Sequence, residues 1–397
     1  MTDDTGGRNR IRKFVWPFLF YILRFGGAAT FRPYTVLYYQ ALAFTGAQIG
    51  LLTGITPLVS LVSMPLITGI ADRTQKHKLI LSLSMLAAVS GLVLYPFLDN
   101  FLPIFLLTIL ITLFLSPVGP LSDSATLFML GDQKNLFSRV RLGGTIGFSI
   151  AATLAGALVE NHGLRIAFWG AALIFFIAFL VSLKITHGTE ERVKIGEKGR
   201  SLDLLKNPRF LLFLMIVFTG GIANTTINTY LFPYMKALGA GETIMGLALT
   251  MGTLAELPIL FFVSNLIKKY SAYTLVIFST VITCLRFLLL AITPIPGLVL
   301  AIQLLNGFTF PLLSVAGVTY VDDQAPEGFR ASAQGLFNGA VLGIGSAMGG
   351  FVGGILFDRL GARGMHFAFF VFITIILIIV SLIRRALPPE EKPAPAA

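Results

Sequence analysis

The run Phe101-Leu-Pro-Ile-Phe-Leu-Leu-Thr-Ile-Leu-Ile-Thr-Leu-Phe-Leu115 carries no charge, and the stretch after it, SPVGPLSDSATLFM to Met129, carries only Asp123. A bilayer core about 30 Å thick is crossed by about 20 apolar residues in a helix. In lipid every backbone N–H and C=O needs a partner, and a continuous apolar run finds those partners within a helix. The chain repeats this pattern. Apolar spans lie at 14–40, 47–70, 79–98, 101–128, 140–160, 165–186, 209–235, 243–267, 272–293, 297–321, 331–355 and 364–386. They predict an all-α integral membrane protein with twelve transmembrane helices. The basic N-terminus precedes FVWPFLFYIL, and apolar character continues to Tyr39. This reads as a first membrane helix, not a cleaved signal.

Charged residues make up 12% of the chain, against about 25% in soluble domains. They fall between the spans. With the N-terminus placed in the cytoplasm, 23 of the 30 Lys and Arg residues lie on cytoplasmic segments, and external loops hold only Arg165, Lys236, Arg359 and Arg363. Basic loops stay inside, so both termini are expected in the cytoplasm of a multi-pass protein of the cell membrane. The net charge of +11 then belongs to the membrane surface, not to a nucleic-acid partner. The only cysteine, Cys284, excludes an internal disulfide and a multi-cysteine metal site, and the four histidines are scattered. No nucleophile–base set and no phosphate-cradling GxxxxGK[ST] loop occurs. No enzyme activity, catalytic residue, cofactor or metal is expected, and no ATP-driven pumping within this chain.

The charged break HGTEERVKIGEKGRSLDLLKNPR (187–209) divides the spans evenly. The expected organisation is a cytoplasmic N-terminus 1–13, a six-helix bundle 14–186, a linker 187–208 with room for a short surface helix, a second bundle 209–386 and a tail 387–397. The two bundles repeat. Gly156, Glu160, Gly163 and Arg165 return as Gly354, Asp358, Gly361 and Arg363, each 198 residues on. Tyr38, Ala41, Leu42, Gly50 and Leu51 return 196 residues on, at Tyr234, Ala237, Leu238, Gly246 and Leu247. Parallel repeats of this kind place a substrate site near the bilayer midplane, between the halves.

The loop TGIADRTQKHK (68–78) carries a small residue, Asp-Arg and a basic cluster. It resembles the loop motif of the major facilitator superfamily. Asp72, Arg73, Lys76 and Lys78 fit, whereas Thr68 and Gln75 replace the usual glycines and the second copy (264–274) is degenerate. The resemblance implies that these residues lock the halves in one state. SPVGPLSD followed by VRLGGTIGF (140–148) resembles the 3-phenylpropionate permease-like and lactose permease-like branch, as do QGLFNGAVLGIGSAMGG and GILFDRLGAR. It implies a substrate role for Asp123 with Arg141, a stacking role for Phe148 and a functional arginine at Arg286. The titratable set this branch carries on its tenth helix is missing, since Gln303, Asn306 and Thr309 stand there.

Ionisable groups in membrane helices cost roughly 2.5–3.5 kcal/mol on insertion scales and therefore face cavities or partners. Here they are Arg24, Arg32, Asp123, Glu256 and Arg286, with Arg141 just inside its span. Asp123 and Arg141 lie on antiparallel neighbours and are expected to pair, either to bind substrate or to hold two helices together. Glu256, two residues before Pro258, is the first candidate to carry a coupling proton and Asp123 the second; a fixed salt bridge to Arg286 is the alternative. Arg24 and Arg32 share one side of the first helix. Arginine excess in the expected cavity suggests a carboxylate substrate, unless the first-helix arginines snorkel to an interface. Arg32, Asp123, Arg141, Phe148, Asn224, Asn228, Arg286, Gln303, Asn306 and Asn338 are the substrate-binding candidates. The expected function is proton-coupled uptake of an aromatic or other carboxylate by a monomeric secondary transporter. The alternatives are sugar or nucleoside symport, and drug or metabolite efflux.

Overall fold

The computed structural model describes residues 4–188, 204–325 and 329–386. Most of the expected linker and the tail 387–397 lie outside these residues. Within them there is no strand, and the α-helices run in the order α1 (Asp4–Phe31), α2 (Thr35–Ala41), α3 (Gly46–Thr74), α4 (His77–Leu94), α5 (Phe101–Leu115), α6 (Val118–Leu130), α7 (Phe137–His162), α8 (Arg165–Ser182), α9 (Pro208–Ala237), α10 (Glu242–Tyr270), α11 (Ala272–Ile292), α12 (Pro296–Gln303), α13 (Phe310–Gln324), α14 (Arg330–Asn338) and α15 (Ser346–Ala386). Helix α1 starts at Asp4, so most of the expected cytoplasmic N-terminus is already helical. Of the linker, residues 204–206 form a short helical turn.

Proline explains why several expected spans are broken. It has no N–H to donate and restricts the residue before it. At Pro33 the first span breaks into α1, a tight turn Arg32–Tyr34 and α2. At Pro117 the fourth breaks into α5 and α6. At Pro311 the tenth breaks into α12, a turn Leu304–Phe308 and α13. A different break opens the eleventh span, where Gly339–Gly345 forms a π-helical segment ahead of α15. Such widened turns rotate the helix face that follows and are frequent at functional sites.

Among the described residues ten stretches are long and apolar enough to cross a membrane, the longest being Phe101–His162 with 62 residues and Ser332–Ala386 with 55. A straight 62-residue helix would be about 93 Å long, far beyond one bilayer. Both stretches contain a glycine at positive φ, Gly131 (φ +53°) and Gly361 (φ +68°), where the helical path is interrupted. The outer faces are apolar: Phe261 is 81% exposed and Leu102 62%. In water such a surface would aggregate; against lipid it is the natural one.

Helix α1 packs on α7 and α8, α4 on α8, and α15 on both α9 and α11. Two seams join the chain before the linker to the chain after it. The first half of α3 lies on α15, and the last turns of α7 lie on the start of α10. Both are backbone-close. A Cβ on Gly50 would stand 2.6 Å from the Phe351 carbonyl oxygen, and one on Gly246 2.4 Å from that of Ala152. Small residues permit this approach between membrane helices. The second seam is also tied by Thr250, whose hydroxyl donates to the Ser149 carbonyl (3.0 Å) and lies 3.0 Å from that of Thr153. Both seams sit at the end of the molecule where α3 and α10 begin.

Candidate substrate cavity

Between the seams and the opposite end lies a cavity of about 520 Å³. The tight turn after α1 supplies Arg32, α3 supplies Thr53, Thr56 and Ser60, and α5 supplies Thr108 and Thr112. From α9 come Asn224, Thr225, Asn228 and Thr229, and from the start of α15, directly after the π-helical segment, comes Ser346. Aromatic rings join them, from Phe31, Tyr39, Tyr95, Phe148 and Phe168, with aliphatic side chains such as Leu52, Ile111, Leu115 and Leu249 between. Arg32 is the one charged residue among the lining residues, and among the described residues it has no side-chain hydrogen bond. Its side chain is exposed, although it sits deep in the protein, because the surface it faces is the cavity.

The lining groups are held in place. The Tyr39 and Tyr95 hydroxyls lie 2.5 Å apart, and Tyr95 reaches Thr108 at 2.9 Å. Thr225 donates to Ser346 (2.8 Å), whose hydroxyl donates to the Val341 carbonyl five residues back (3.0 Å). The π-helical segment thus presents Ser346 to the cavity. Asn228 donates to Asn224 (3.0 Å), as expected for residues one turn apart. At the seam end the Tyr230 hydroxyl donates to the Gly350 carbonyl (2.6 Å) and lies 3.3 Å from Thr53 Oγ1. It stands between the main cavity and a smaller one of about 250 Å³, lined by Gln40, Phe44, Gly46, Phe357 and Asp358 among others.

Of the ten binding candidates, Arg32, Phe148, Asn224 and Asn228 meet at this cavity. The other six stand elsewhere. Asp123 does not pair with Arg141: among the described residues no ion pair joins them. Asp123 instead accepts a hydrogen bond from Tyr21 of α1, while the Arg141 guanidinium sits 5.8 Å from the Phe137 ring on its own helix. Arg24 reaches Ser122 (3.4 Å) and lies over Phe25, so it is engaged between α1 and α6. Asn338 is exposed at the end of α14.

Arg286, Gln303 and Asn306 form a separate cluster with Glu256. Arg286, 2% exposed, donates to Gln303 (2.6 Å), Asn306 (2.8 Å) and Thr309 (3.0 Å). Asn306 in turn donates to Glu256 Oε1 (2.6 Å). The salt bridge between Glu256 and Arg286, the alternative to a proton-carrying Glu256, is therefore replaced by a relay through one carboxamide. Leu249 of α10 lines the cavity, and Glu256 follows two turns on, about 10 Å away on the same face.

The Asp72 loop lies at the end opposite the seams. Asp72 Oδ1 meets His77 Nε2 of α4 at 2.9 Å, and Arg73, Lys76 and Lys78 are exposed. The His77 ring stacks on His187 at 6.0 Å. Burial, and then the His77 charge, push His187 down to about 4. It is neutral at pH 7 and takes up its proton more readily unfolded than folded. Stability through this residue is present above the ordinary histidine value near 6.5 and falls as pH drops toward 4. Lowering the pH from 7 to 5 is therefore expected to reduce Tm more in the wild-type protein than in His187→Phe, which keeps the stacked ring; equal losses would assign the drop to other groups.

The comparisons agree with this architecture. The chain is 26% identical to the maltose permease of Geobacillus stearothermophilus, over 96% of this chain and 97% of that one. It is 24% identical to the xanthosine permease of Escherichia coli (strain K12), over 88% of each. The crystal structure of the nucleoside transporter NupG superposes with a TM-score of 0.83 at 18% identity, covering 95% of this chain and 99% of that one. The fold is shared, and the chain is a multi-pass membrane protein. With the MFS_1 like family matching residues 16–372, the chain belongs to that family of major facilitator transporters.

Proposed function

We infer that the protein is a secondary transporter that moves a neutral, polyhydroxylated solute, a nucleoside or a sugar, by alternating access coupled to protons. The observation that carries this is the cavity lining. Its hydroxyls and carboxamides donate and accept together, as sugar hydroxyls require, and its aromatic rings offer flat faces for a base or a pyranose. The volume falls within the roughly 300–1,000 Å³ of small-molecule sites. The names of the relatives, a maltose permease and a xanthosine permease, point the same way. The arginine excess that suggested an aromatic carboxylate is much reduced at the cavity, because Arg24, Arg141 and Arg286 are engaged elsewhere.

Dividing the two longest apolar stretches at Gly131 and Gly361 gives twelve crossings in two bundles, 14–186 and 209–386. With both termini in the cytoplasm of the cell membrane, the seams close the outer face and the cavity faces inward. The Asp72 motif then lies at the open end, unlocked. Glu256 is the proposed proton carrier, since it stands on α10 two turns beyond the cavity-lining Leu249 and its carboxylate is linked through Asn306 to Arg286. Asp123, held by Tyr21, is second.

One observation favours an anion instead: Arg32 faces the cavity with no acidic partner among the described residues. A thermal-shift panel of uridine, maltose and 3-phenylpropionate on the purified protein separates the two readings. Uridine or maltose is expected to raise Tm, and Arg32→Gln to weaken that binding about tenfold through loss of one charged hydrogen bond. A shift with 3-phenylpropionate alone, abolished by Arg32→Gln, would replace the polyol reading by the anion one.

A further inference from the structure

The two seams end on carboxylates. The start of α10 has Gly241 as its N-cap, a residue with no side chain to cap the helix. The missing acceptor comes from the other half of the chain. Glu160, near the end of α7, accepts a hydrogen bond from the Thr243 backbone N–H at 2.9 Å. A Cβ on Gly241 would meet Glu160 Oε1 at 2.9 Å, so glycine there leaves the carboxylate its place. At the other seam Asp358 of α15 accepts from the Gly46 N–H at the start of α3, at 3.2 Å. Asp358 also lines the smaller cavity beyond Tyr230. Glu160 and Asp358 occupy matched positions of the internal repeat, 198 residues apart.

The first N–H groups of a helix lack partners inside it, and that end carries partial positive charge. A carboxylate placed there satisfies both. Within one half such a cap would be ordinary. Here each acid belongs to one half and the helix start to the other, so the caps exist only while the seams are closed. The duplication made two from one: first half onto second at Glu160, second onto first at Asp358.

We propose that Glu160 and Asp358 are paired latches of the outer gate, positioning residues that favour the seam-closed state and release together when the protein opens outward. This rests on the alternating-access reading of the fold, and its test needs no substrate. Glu242, which pairs with Lys236 at 2.6 Å, is a contact within the second half and has no share in the latch.

Spin labels at Asn100, in the loop before α5, and at Gly297, in the first turn of α12, stand at the seam end of the two halves and report the opening of the outer face, with Cys284→Ser removing the native thiol. Distances are measured on the full-length protein in nanodiscs without ligand. Glu160→Ala and Asp358→Ala are each expected to raise the long-distance population about three-fold, the scale of one exposed helix-end charge contact, and the double variant about ten-fold. Glu160→Gln and Asp358→Asn keep an acceptor but lose the charge, so their shifts are expected to be intermediate. A double alanine variant with the wild-type distance distribution overturns the proposal. Should the alanine variants fail to fold, a Gln/Asn double variant with wild-type distances overturns it equally. Failure of every compound in the thermal-shift panel, with the distances shifting as expected, would fault the substrate reading and leave the latch standing.

Discussion

Gly50→Leu is expected to abolish net uptake, whereas the same substitution at Gly69, on the same helix, leaves it near wild type. Both glycines belong to α3. At Gly50 a Cβ would press on the Phe351 carbonyl at 2.6 Å, a backbone atom that cannot swing away; at Gly69 nothing lies within 4 Å. The leucine can be housed only if α3 and α15 separate, and that separation is the opening of the seam. Overpacking a tight contact costs roughly 1–3 kcal/mol, and each 1.4 kcal/mol is about a factor of ten in the closed population. The closed-to-open ratio therefore falls by about five- to a hundred-and-fifty-fold, and a carrier that cannot close its outer gate completes no cycle. Uptake into proteoliposomes, labelling of an outer-face cysteine and size-exclusion profiles measure this together. The expected outcome is lost uptake, faster labelling and an unchanged profile. Equal uptake by both variants would mean that the seam does not move during transport.

Arg286→Met is expected to be the most destabilising single change among the candidate residues, at about 3 kcal/mol or more, the scale for breaking a buried charge partnership. The guanidinium supplies donors to Gln303, Asn306 and Thr309 at once. Without it those acceptors are stranded, and Glu256 loses the only cation in its relay. Glu256→Gln added to Arg286→Met is expected to recover part of the lost Tm, because it removes the uncompensated acid. In the wild-type background, Glu256→Gln should cost little stability, since a glutamine oxygen can still accept from Asn306. It should abolish pH-gradient-driven accumulation and spare substrate exchange. Intact accumulation in Glu256→Gln would sink the proton assignment and pass the role to Asp123.

How much of the site was legible in the sequence depended on distance along the chain. Arg32, Asn224 and Asn228, which line the cavity, stood out because polar groups in apolar spans have few explanations; Phe148, one of 35 phenylalanines, stood out only through the family resemblance. The Asp123–Arg141 pair failed for the opposite reason. Their helices are neighbours in sequence, but Tyr21, about a hundred residues away along the chain, reaches Asp123 first. The Glu256–Arg286 salt bridge failed similarly, because Asn306 on a third helix stands between them. Ser346 was missed altogether. No local residue pattern marks the π-helical segment Gly339–Gly345, and that segment decides which way Ser346 points. Glu160 and Asp358 were visible as a repeat, but their task as caps was not.

Hydrophobicity alone dictated that the chain is helical and crosses a membrane many times, because lipid offers backbone groups no other partner. The prolines of the fourth span marked a kink there, but those at the breaks of the first and tenth spans could not be told from Pro57 or Pro258, which sit inside unbroken helices; the repeated blocks are the sequence basis for the proposed two halves. These are local properties, set by residues close together in the chain. Which halves touch, where they leave a cavity, and which acid meets which donor were decided only by the tertiary structure. They depend on helix rotation and on backbone approaches of a few ångströms between residues as far apart as Gly46 and Asp358. No local pattern encodes a distance of that kind.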